Sequence, residues 1–120
     1  MEAEYTALSV AMRAFIPLQA VVKSVISGLA YAKQQIVTFK ATVHEDNQGA
    51  LILANLEPGR HTVRSKFYAL RLHWFRKWVH NPENNITIQF VGTDLQKADF
   101  LTKALPASTL KVNRRLSMGW

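Results

Sequence analysis

Apolar positions along the N-terminal part of the chain recur at steps of three and four. Leu8, Ala11, Phe15, Leu18, Val22, Val25, Ile26 and Leu29 form one stripe of helical period, which predicts a helix over residues 2–32. Glu4 precedes Leu8 by four, so it extends that inward stripe, whereas Glu2 lies about 200° away around the helix. Pro17 cannot bond to the carbonyl of Arg13 and should kink or break the helix, and Gly28 weakens its far end. Residues 36–43 are β-branched and aromatic with partial alternation, as in a half-buried strand. A helix-forming run, Ala50–Ala54, follows, and Glu57-Pro58-Gly59 makes a turn. Residues 63–79 predict a second helix with Phe67, Leu70, Trp74 and Trp78 on one stripe and Phe75 beside it. After the turn cluster 81–85, residues 86–91 alternate cleanly as a strand. Thr93 to Gln96 has the form of a capping box opening a helix with Leu95, Ala98, Leu101 and Leu105 inward, ended by Pro106. Ser108 is placed to cap a last helix.

Alternating strand and helix signals point to an α/β fold. The 120 residues fit one domain able to bury about two-thirds of its unfolded surface. Fifteen Lys and Arg oppose eight Asp and Glu, a net +7 that favours a polyanionic partner, nucleic acid first and an anionic membrane surface second. The excess is concentrated: residues 58–82 hold Arg60, Arg64, Lys66, Arg71, Arg76 and Lys77 without one acid. Phosphate contact is the favoured use of such a run, a solvated face the alternative. The absence of cysteine excludes disulfides, a thiol nucleophile and thiolate metal sites. His73 and His80, seven apart, are a weak zinc signal. No uninterrupted apolar run of about 18 residues stands out, so no membrane partner is expected.

The candidate chemistry lies in three acids. Asp46 follows the first strand and precedes a helix, the end of α/β strands where ligands usually sit. Helix capping by Asp46 or Asn47 is the alternative there. Glu4 lies on the first helix's inward stripe, and Asp99 on a helix fed by the second strand. Carboxylates gathered without cations between them repel, unless a divalent ion such as Mg²⁺ or Mn²⁺ neutralises them.

Four segments in fixed order carry a resemblance. They are Glu2-Ala3-Glu4-Tyr5-Thr6-Ala7-Leu8-Ser9, His44-Glu45-Asp46-Asn47-Gln48-Gly49-Ala50, Arg64-Ser65-Lys66 with Arg71 and His73, and Ala98-Asp99-Phe100-Leu101-Thr102-Lys103-Ala104-Leu105. Together the chain resembles the C-terminal ribonuclease H domain of copia-type (Ty1/copia) retrotransposon Pol polyproteins. The resemblance implies a ribonuclease H-like fold, a mixed sheet flanked by helices, that cuts the RNA strand of RNA–DNA hybrids with two Mg²⁺ or Mn²⁺ ions. It implies Glu4, Asp46 and Asp99 as catalytic metal ligands. It also implies Asn47, Gln48, Arg64, Ser65, Lys66, Arg71 and His73 as nucleic-acid contacts. The implied partners are the hybrid and the upstream reverse-transcriptase segment, in an intracellular setting: cytoplasm, virus-like particle or nucleus.

Three departures from the family pattern matter. The family's first strands carry another catalytic aspartate, which no residue here fills because the chain starts at Met1-Glu2. Phe67-Tyr68-Ala69 stands where His-Ile-Asp is common, and Pro17 where a bulky helix former is usual. The expectation is therefore one partial domain over residues 1–120, lacking its first strands, weak or inactive alone. The edge of the strand at 36–43 would be left open to self-association. A non-catalytic nucleic-acid-binding relic, or a basic protein- or membrane-interaction module, is the alternative.

Overall fold

The computed structural model describes residues 2–34, 36–63 and 72–120. The expected long helix is continuous: α1 spans Glu2–Ala32 and passes through Pro17 without breaking. β1, Ala41–Glu45, follows, then α2, Gln48–Asn55, and the four-residue helix α3, Arg76–Val79. β2, Ile86–Phe90, then leads to α4, Asp99–Thr102, and α5, Ala107–Met118. The architecture mixes helix and strand around a small sheet, in which β1 and β2 run parallel with Ala41 opposite Ile86 and Glu45 opposite Phe90. Among the described residues neither outer edge of this pair carries another strand.

The first strand starts later than its β-branched run because a strand needs a ladder partner. β2 begins only at Ile86, after Asn85 turns the chain in the left-handed region at φ 50°. Asn85 donates from its side chain to the Phe39 carbonyl, and its own carbonyl accepts from the Ala41 amide at 3.0 Å. Residues 36–40 therefore run ahead of the ladder. Alternation in β2 holds as expected, with Ile86 and Ile88 buried between more accessible neighbours.

Two expected helices are shorter. Of residues 63–79, Leu72 to Phe75 form turns and only α3 is α-helical among the described positions; Phe67 and Leu70 lie outside them. The helix expected from Thr93 is one 3₁₀ turn, Thr93–Leu95, because Gln96 takes an extended backbone at φ −71° and ψ 101°. Gly92 occupies the cap position without a side-chain bond, so the capping box does not form. α5 starts at Ala107, directly after Pro106, rather than behind Ser108.

The core gathers Tyr5, Leu8 and Met12 of α1, Ala50, Leu53 and Ala54 of α2, Phe75, and Ile86 and Ile88 of β2. Its hub is polar. Arg76, fully buried, donates Nε–H to the Tyr5 hydroxyl at 3.0 Å and Nη1–H to the Arg60 carbonyl at 2.8 Å. That hydroxyl lies 2.8 Å from His73 Nδ1. The same oxygen therefore serves both Arg76 and His73.

This hub sets the phase of α1. Tyr5, Ser9 and Met12 face inward, one residue on from the Glu4–Ala11 phase of the expected stripe, and Glu4 and Ala11 turn outward. Beyond Ile16 the helix leaves the core. Leu18, Val21, Val25 and Leu29 are each 57–60% exposed. The radius of gyration, 16.7 Å, exceeds the roughly 13.6 Å of a compact chain this long. α1 is also long and apolar enough to cross a membrane, with an 18-residue window of mean hydropathy 1.4, of which 11% is buried. The unbroken-run reading missed this because Arg13, Gln19 and Lys23 interrupt the run but leave the window average high.

Tyr5→Phe keeps the ring and removes the hydroxyl that both Arg76 and His73 use. Urea denaturation should show a loss of about 1–3 kcal/mol, the cost of stranding buried polar groups, while Val21→Ser stays within about 0.5 kcal/mol.

Candidate functional site

The first of the expected acids, Asp46, lies at the carboxyl end of β1. β1 ends at Glu45, whose main-chain carbonyl accepts from the Val91 amide at 3.0 Å. Asp46 comes next, half-buried, and Asn47 caps α2 by accepting from the Ala50 amide at 3.0 Å. Of the two candidate caps the chain uses Asn47, which leaves the Asp46 side chain outside that role. Gln48 is the exposed first residue of α2.

Asp99 opens α4 and is buried at 7% exposure. Its Oδ1 pairs with Lys103 Nζ at 3.1 Å, one helical turn on. That bond, and then the charges of Asp99, Asp46 and Glu4, raise the Lys103 pKa against the partial desolvation that lowers it. The three expected acids thus act on a single ammonium group.

Glu4 reaches this group from the rim. It is exposed rather than inward, since Tyr5 takes the buried phase. The terminal ammonium, its own backbone amide and, more weakly, Lys103 lower its pKa. A fourth acid completes the cluster. Glu45 is buried and accepts from the Asn47 amide at 3.0 Å. Burial above all raises its pKa, and Asp46 and Glu4 add to that while the Asn47 bond opposes it.

Glu45 and Lys103 are the residues the pattern reading passed over, and both left a signal. Glu45 falls in the same period-two phase as Ala41 and Val43. Lys103 stands four residues after Asp99, the spacing of a helical ion pair. The inference that the acids require a divalent ion assumed no cation among them, and Lys103 supplies one. Among the described residues no group of three His, Asp or Glu side chains comes together to hold a metal ion. As arranged here, then, Glu4, Asp46 and Asp99 share a field but do not form a metal cage.

The expected nucleic-acid contacts divide. Arg64, Ser65, Lys66 and Arg71 lie outside the described residues. His73 is buried against Tyr5 and is not on a solvated helix face. Arg76, counted in the basic run, is a core residue, and Arg60 pairs with Glu57 at 2.9 Å. Lys77 is exposed.

Glu45 gives the cluster a pH signature. An acid whose folded pKa lies above its ordinary 4.5 keeps its proton longer in the folded than in the unfolded chain. This contribution is therefore fully present below 4.5 and is lost as pH rises through the higher folded value. Glu45→Gln retains an acceptor for the Asn47 amide without the charge. Chemical denaturation across that pH range should show the variant more stable than the parent on the alkaline side, with the difference vanishing on the acid side. No protein-family model matches the chain, and no solved structure matches it.

Proposed function

We propose that this chain is a ribonuclease H-like domain of copia-type lineage that binds RNA–DNA hybrid and, in the arrangement described, does not cut it. One observation carries the reading: of the acids singled out by the resemblance, Asp46 falls directly past the end of β1, and Asp99, from a separate segment, opens α4 buried and paired with Lys103 at 3.1 Å. The position of Asp46 just past a parallel strand, where α/β proteins gather ligands, supports it further. Binding is assigned to the net +7 and to Arg64, Lys66, Arg71 and Lys77 of the acid-free run 58–82.

Silence toward the RNA strand follows from Lys103. Its ammonium pairs with an oxygen of Asp99, and Glu4 sits at the solvent rim. Hydrolysis by two bound Mg²⁺ or Mn²⁺ ions needs ligands held in register, and a misplacement of about 1 Å costs roughly a hundredfold.

Hybrid binding, followed by fluorescence anisotropy across salt concentrations, should fall steeply as salt rises. Neutralising Arg64, Lys66 and Arg71 together should reduce the slope of log affinity on log salt by about 1–3 units. With Mg²⁺ or Mn²⁺ present the hybrid should stay intact. Cleavage that Asp46→Asn abolishes would overturn the silent reading, and an unchanged salt slope would remove the basic run from binding.

A further inference from the structure

Midway along α1 the helix and the Trp74–Trp78 segment enclose a groove of about 580 Å³, well within the size range of ligand sites. Trp74 and Trp78 form one wall, and Ile16 and Pro17 part of the other. Arg13 and Lys23 stand along it, and no acid lines it among the described residues. The wall is preorganised. Trp74 donates its indole N–H to the Ser9 hydroxyl at 3.1 Å and packs edge-on to Phe75. Asn84 donates to the Trp78 carbonyl at 3.1 Å, and its own carbonyl accepts from Gln19 at 3.1 Å and Lys23 at 3.4 Å. The Trp74 indole and the Trp78 main chain are thus held before any ligand arrives, which lowers the ordering cost of binding.

We propose that this groove binds single-stranded nucleic acid, a base stacking on the Trp78 indole while Arg13 and Lys23 take the flanking phosphates. Base stacking on aromatic rings combined with cations along the backbone is the chemistry of sequence-tolerant single-strand sites. A duplex offers its base faces only at its ends, so a splayed strand fits and a continuous helix does not. A bilayer would engage the opposite side of α1. Leu18, Val25 and Leu29 lie about 180–220° around the helix from Ile16 and are exposed. The groove is also separate from the acids, since Arg13 is about 13 Å and Lys23 about 28 Å along the helix from Glu4. The inference does not depend on the ribonuclease H reading.

The test uses the whole chain in a Trp120→Phe background, so that only the groove indoles emit, titrated with a short labelled oligo-dT. Binding should quench tryptophan emission, and Trp78→Leu, which keeps apolar bulk but removes the ring, should weaken affinity about tenfold by anisotropy. Arg13→Gln with Lys23→Gln should lower the salt slope by about 1–2 units, and this pair decides the matter if Trp78→Leu fails to fold. Absence of oligo-dT binding, or affinity and slope unchanged in these variants, would overturn the proposal. So would quenching by phosphatidylcholine–phosphatidylserine vesicles without any response to oligo-dT. Loss of hybrid binding with oligo-dT binding intact would count against the hybrid reading alone.

Discussion

A buried guanidinium governs this molecule. Removing Arg76 from water is costly, and among the described residues no carboxylate pairs with it, so neutral acceptors must supply what hydration gave up. The Tyr5 hydroxyl and the Arg60 carbonyl do so, while Nη2 has no hydrogen-bond partner among the described residues. Burial raises the Tyr5 pKa, against the lowering influence of Arg76, and keeps the phenol in its neutral form. An accepting hydroxyl is what the guanidinium needs, and the same oxygen is hydrogen-bonded to His73. Three segments far apart in sequence are tied at one point, and the rotation of α1 about its axis follows from that tie.

The acid cluster inherits its geometry from the same rotation. Turning Tyr5 inward carries Glu4 to the rim, where the Lys103 charge lowers its pKa weakly. Lys103 and Asp99 are fixed to one another by helical spacing, so the ammonium arrives with the acid it neutralises. Repulsion among Glu4, Glu45, Asp46 and Asp99 is relieved by a charge internal to the chain. Glu45 bears the remainder, being buried beside like charges.

Much of this could be read from the residues alone, because some features are local. The span of α1, though not its unbroken passage through Pro17, the alternating β2 and the turn at Asn81 to Asn85 follow from periodicity and turn chemistry that neighbouring residues settle among themselves. The helix phase was not legible. Ala11 and Phe15 continue the apolar step from Leu8, but the polar hub turned Tyr5, Ser9 and Met12 inward beside Leu8, leaving Glu4 and Ala11 exposed, through a contact 71 residues away. The start of β1 was similarly non-local, since it is set by where β2 begins. Asp46 was found because strand ends are marked in sequence, whereas Glu45 was overlooked because a buried acid breaks the pattern used to search for it.

Pro17 divides α1 into two regimes of local stability. Up to Ile16 the helix is held by the core, so its amides should open only with the molecule as a whole. Past Pro17, where one helical bond is missing and the apolar side chains face water, opening can occur segment by segment. A single unbroken helix thus spans two cooperative units. Its amide-exchange profile would step down at the proline, with a local rise where Gln19 and Lys23 are tied to Asn84.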